Sequence, residues 1–265
     1  MKSNLELENY LNQTEKEKQN IFDIISKEKI NEYKKEIEDN NKIDLSDINI
    51  NILHPGDNLY DHYEIQQKLF LKCNSDFSKM INLIKEYNYD PNDVTIDEFR
   101  DIAKKEGIVL EGKFPSFAMT DGDSDSDINF MGIKEENVIE MAKKYALKEN
   151  EQQSDFSNIE EAENYLESLG EKYFLHEVGH TVYKKLKIFL QEKWKKFIEN
   201  NFDLKKKVTK VQEDKYNDEE QIPIDQESFA DYFIDVSSNG KLISRLGENN
   251  EAVEKIKSLL NKNKI

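Results

Sequence analysis

The sequence predicts an α+β fold, with helices toward both ends and a short run of strands between them. Three observations carry this reading. Apolar residues recur at helical steps of three and four in both flanks. From Gly107 the texture changes to short β-rich runs bounded by turn residues. A pair of histidines at helical spacing then follows those runs. The expected division is a charged, mostly helical region over 1–90 and a mixed domain over 91–265, with a small mixed sheet and a helical C-terminal part.

The first 43 residues are rich in Glu, Lys and Asn. They carry a thin apolar stripe (Leu7, Leu11, Ile21, Ile24, Ile25, Ile30, Tyr33) that predicts one or two helices. Ile48, Ile50 and Ile52 alternate as in a strand, and His54, Pro55, Gly56 and Asp57 make a turn. Residues 60–87 predict one or two helices on Leu69, Leu71, Phe77, Met80 and Ile84. Thr95, with Glu98 three residues on, predicts a capping box for a helix over 96–105. Strands are expected at 108–110, 114–119 and 128–133, and then a helix over 135–148. A helix over 159–169 should end at Gly170, with a second starting just after it. Residues 202–221 read as loop, Pro223 precedes a short helix, and a closing helix covers 253–260.

Composition narrows the function. The chain has 265 residues, enough to bury a full core, and a formal net charge of −17. That charge argues against the nucleic-acid backbone as a partner. The lysines at 184–207 are interleaved with apolar positions, as on a solvated helix face. The one cysteine, Cys73, excludes an intramolecular disulfide framework and fits a small core residue. No run is apolar and long enough for a membrane span, and the N-terminus lacks the apolar core of a secretion signal. A soluble monomer is expected, cytoplasmic or released without a cleaved signal.

Chemistry concentrates in His176-Glu177-Val178-Gly179-His180, an H-E-x-x-H; the chain has only 4 histidines. Histidines four apart share one helix face, so both rings can reach one metal ion, with Glu177 beside them. A catalytic zinc takes three protein ligands and an open position, so a third ligand must come from elsewhere. The stretch Asp225-Gln226-Glu227-Ser228-Phe229-Ala230-Asp231-Tyr232-Phe233 reads as a short helix. Glu227 and Asp231 share one face of it, and Phe229 and Phe233 share another. One carboxylate could bind metal while the other, a turn away, orients a ligand histidine. Ala230 is small where two helices must come close.

H-E-x-G-H followed by E-x-x-A-D resembles the gluzincin class of zinc metallopeptidases. The wording is closest to the catalytic domain of the anthrax lethal factor and Pro-Pro endopeptidase group, over roughly residues 173–234. The resemblance implies a zincin-like fold with one catalytic Zn2+ held by His176, His180 and Glu227. It also implies Glu177 as general base and Asp231 as hydrogen-bond partner of the His176 ring. Those relatives carry a catalytic tyrosine about seven residues before the ligand glutamate. Here that position is Glu220; the nearest upstream tyrosine, eleven residues before Glu227, is Tyr216, the candidate for the catalytic role of oxyanion donor. A zinc endopeptidase acting on a protein or peptide substrate is the expected function. The rival expectations are a catalytically silent zincin-fold binding module and a peptidase dedicated to a regulatory repressor.

Two weaker signals complete the reading. Asp121, Asp123, Asp125 and Asp127 alternate like the start of a calcium loop, but no register supplies both the glycine and the final glutamate; a solvated turn is expected. His54 and His62 lie near Asp57 and Asp61 without helical spacing, and are expected to be turn and surface residues.

Overall fold

The computed structural model describes residues 21–41, 43–112, 118–121, 124–148, 155–213 and 223–263. It is a mixed α+β structure, mostly helical, with two small sheets. Its elements run β1 (Ile21–Phe22), α1 (Lys27–Asn41), β2 (Asn49–Leu53), α2 (Asn58–Lys72), α3 (Phe77–Glu86) and α4 (Ile96–Lys105). Then come β3 (Ala118–Asp121), β4 (Ser124–Met131), β5 (Ile133–Lys134) and a 3-10 turn leading into α5 (Val138–Lys148). The remainder is α6 (Ile159–Lys185), α7 (Ile188–Asn200), α8 (Phe202–Glu213), α9 (Ile224–Ser237) and α10 (Asn250–Asn263). β4 lies between β2 and β3, while β1 pairs antiparallel with β5. No helix among the described residues is long and apolar enough to cross a membrane.

Two compact units make up the chain, and neither is continuous in sequence. One comprises the residues up to Ile24, Ile52–Phe117 and Phe130–Leu166; the other Ile25–Asn51, Ala118–Asn129 and Glu167–Ile265.

In the first unit α2, α3 and α4 enclose a small core of Ile65, Leu69, Cys73, Met80, Ile84, Phe99 and Ile102. Cys73 is a buried free thiol there, as its residue type suggested. Thr95 and Glu98 form the predicted capping box at the start of α4. Glu64 is fully buried, yet its carboxylate accepts from the backbone N–H groups of Glu111 and Gly112 at 2.7 and 3.2 Å. A buried charge is tolerated when it is hydrogen-bonded in this way. His54 meets Asp23 at 2.8 Å, and His62 sets its ring edge-on to Phe99. These two histidines have separate structural partners and join no cluster of metal-binding side chains among the described residues.

The second unit holds the histidine-bearing part of α6 and all of α9. Phe229 and Phe233 are fully buried on α9, and Trp194 from α7 meets Phe229 edge-on at 5.7 Å. Ile198, Leu204, Val208, Ile256 and Leu260 add to the buried apolar residues of this unit.

Four expectations about elements fail, each for a physical reason. Gly170 does not end a helix: α6 runs unbroken for 27 residues from Ile159 to Lys185. One glycine weakens a helix by about 1 kcal/mol but breaks no hydrogen bond, and buried Leu166, Leu169, Phe174 and Leu175 hold both sides of it. Residues 108–110 form no strand; the Ile108 N–H bonds back to the Ala103 carbonyl, and Ile108 and Leu110 pack on the three-helix core. Residues 202–213 are helical rather than loop, because Leu204 and Val208 bury one face and Asn201 accepts from the Leu204 N–H. Ile21 belongs to a strand rather than a helix, since its backbone pairs with Lys134. The acidic run at 121–127 includes the end of β3 and the start of β4, and its side chains lie outside the description.

Candidate metal centre

α6 delivers His176 and His180, and α9 delivers Glu227 and Asp231. All four are buried, Glu227 and Asp231 completely. The stripe of Phe174, Leu175, Val178, Val182 and Leu186 buries α6 and so commits the two histidines to the interior. α9 starts right after Pro223, whose fixed φ and carbonyl launch the helix; the Glu227 N–H donates to that carbonyl at 3.0 Å. Glu227 thus sits in the first turn, where the positive end of the helix favours a carboxylate. The Trp194 indole N–H anchors this turn by donating to the Asp225 carbonyl at 2.7 Å and lying 3.2 Å from Ser228 Oγ. The Tyr183 hydroxyl on α6 donates to the Asp225 carboxylate, tying the two helices together.

The donor atoms converge. His176 Nε2 and His180 Nε2 are 3.1 Å apart; Glu227 Oε1 is 3.6 Å from the first and Oε2 is 3.3 Å from the second. Tetrahedral ligands about 2.0–2.2 Å from a zinc ion are themselves about 3.3–3.6 Å apart. The two imidazoles and the carboxylate, which meets each ring through a different oxygen, are spaced on that scale. Among the described residues it is the one group of three or more such side chains close enough to hold a metal.

The polar accounting favours a cation too. Glu227 Oε2 and His180 Nδ1 are buried and make no hydrogen bond. An unsatisfied buried carboxylate oxygen is expensive, and this one lies 3.3 Å from His180 Nε2. Burial, and next the neighbouring Arg245 charge, lower the His176 pKa well below its ordinary value and keep the ring neutral, the form that binds metal. Asp231 Oδ1 lies 3.3 Å from His176 Nδ1, which suits a proton on Nδ1 and a free lone pair on Nε2. Glu177 is half-buried. Burial raises its carboxyl pKa, Glu227 pushes the same way, and His180 and Arg245 pull partly against them.

Of the residues singled out from sequence, His176, His180, Glu227 and Asp231 come together. Glu177 adjoins them in the chain. Tyr216 lies outside the described residues. One participant escaped the sequence reading: Arg245, in the segment between α9 and α10. Its Nε donates to Asp231 Oδ1 at 2.7 Å and its terminal Nη2 to Glu227 Oε1 at 2.9 Å. A signal existed, for arginine occurs only at 100 and 245 in a chain otherwise basic through lysine. Both arginines grip a buried aspartate, Arg100 meeting Asp61 at 2.8 Å. A shallow recess reaches His176, lined by Lys172, Tyr173, Ile234 and Arg245.

No family model matches the chain, and neither a characterised protein nor a solved structure does.

Proposed function

We propose that this protein is a zinc-dependent endopeptidase of the gluzincin type, with a zincin-like catalytic domain similar to that of lethal factor and the Pro-Pro endopeptidases. One observation carries the reading: two buried imidazoles and a buried carboxylate from two helices meet at metal-binding spacing, with a glutamate next to the first histidine. His176, His180 and Glu227 would hold the ion, and Asp231 would orient His176. Zinc, when bound, lowers the pKa of a water ligand to about 7 and polarises a carbonyl. Glu177 is the base in this reading: its carboxylate takes a proton from water and passes it to the departing amine. Burial raises its proton affinity, the direction that favours taking a proton from water.

A second reading, a folded module without turnover, is favoured by Arg245. Its guanidinium already supplies a cation to both buried carboxylates, so the site does not depend on metal for all its charge balance. Elemental analysis followed by cleavage of a peptide library separates the two. The peptidase reading expects one zinc per chain and cleavage abolished by a chelator and restored by zinc. Zinc without cleavage, or folded protein without zinc affinity, would favour the module.

A further inference from the structure

Arg245 grips two carboxylates with two different nitrogens of one rigid fork. Nε holds Asp231 and Nη2 holds Glu227, one helical turn apart on α9. Lysine, a single point charge, cannot reproduce that grip. Nη2 also lies 3.2 Å from Nδ1 and 3.1 Å from Nε2 of His176. Near-equal distances to both nitrogens put it over the face of the ring, since in the ring plane the carbon between them would block it. The Nε2 lone pair therefore stays clear, and Arg245 does not occupy the direction a metal would take.

The consequence falls on Glu227. Its Oε1 is engaged by Arg245, whereas Oε2 is buried, makes no hydrogen bond and lies 3.3 Å from His180 Nε2. We propose that Arg245 is a positioning residue that commits Glu227 to bind the metal through Oε2 alone. This rests on the metal site proposed above. A carboxylate can hold a cation through one oxygen or both; occupying Oε1 removes the second mode and keeps a coordination position open. The same fork ties Asp231, and through it His176, to Glu227, so a ligand from each helix is oriented by one side chain.

The test is cobalt(II) loading of the full chain, because its visible bands are several-fold stronger in four-coordinate than in five- or six-coordinate sites. Wild type should take up one cobalt with the intense bands of a four-coordinate site. In Arg245→Lys, which keeps the charge but loses the fork, the bands should weaken at least about two-fold. Cobalt affinity, measured against a chromophoric chelator, should fall about 10–100-fold. Arg245→Met should do the same or more. A folded Arg245→Lys protein with wild-type bands and affinity overturns the positioning role and leaves the metal site standing. Weak bands in wild type itself overturn the proposal even if neither variant folds. Wild type that binds neither cobalt nor zinc overturns both this proposal and the metal site.

Discussion

Gly179 and Ala230 are in backbone contact: a β-carbon added at Gly179 would sit 2.7 Å from the Ala230 Cα and 3.1 Å from its carbonyl oxygen. No side-chain rotation relieves such a contact. The small residue inside the histidine motif and the small residue before Asp231 are thus two halves of one close approach of α6 and α9. That approach brings Glu227 to the imidazoles.

Gly179→Ala should accordingly force the helices apart. The expected loss is about 1–3 kcal/mol of stability, read from denaturant unfolding, with a lower metal affinity. Adding Ala230→Gly should not rescue it, because the clash is with backbone atoms that the second change leaves in place. A double variant restored to wild-type stability would show the contact to be softer than its geometry.

Glu177→Gln tests the proposed base without disturbing the proposed metal ligands. Metal content should stay at the wild-type level, while peptide cleavage falls by at least about 100-fold. Cleavage at the wild-type rate would remove Glu177 from the mechanism.

Asp231→Asn keeps the shape of the side chain and removes its charge. Asp231 faces His176 Nδ1 at 3.3 Å and accepts from Arg245 at 2.7 Å. Zinc affinity by chelator competition should drop about 10–100-fold. An unchanged affinity would mean that the aspartate serves only the fold.

Trp194→Phe should take the indole donor from the Asp225 carbonyl, which keeps the Ser228 hydroxyl as a donor at 3.1 Å. A stability loss of about 0.5–1.5 kcal/mol is expected, the net worth of one hydrogen bond. The denaturation midpoint measures it, and a shift too small to resolve would place the anchoring of α9 elsewhere.

His62 is set against Phe99, and burial holds its pKa below the ordinary 6.5. Below pH 6.5 the unfolded chain binds this proton more readily than the folded one, so stability declines as pH falls through that value toward the folded pKa. His62→Phe should remove this contribution. The denaturation midpoints of variant and wild type should therefore diverge progressively from pH 7.5 to pH 5, with the variant losing less. A pH-independent difference would contradict the assignment.

What the sequence determined by itself was local and periodic. Four-residue spacing put His176 and His180 on one face, and the same spacing joined Glu227 to Asp231. Thr95 and Glu98 wrote their capping box, and alternating isoleucines marked β2, because each signal lies within one turn or one strand. Tertiary structure decided what local pattern cannot encode. It carried α6 through Gly170, since burial on both sides outweighs one glycine's conformational freedom. It turned 202–213 into helix and kept 108–110 out of the sheets, because packing partners far along the chain set those outcomes. Above all, it brought Arg245 back onto two carboxylates 14 and 18 residues earlier. A lone charge in an irregular segment has no periodicity to betray it, and only the closing of the chain around buried Asp231 and Glu227 gives that charge a partner.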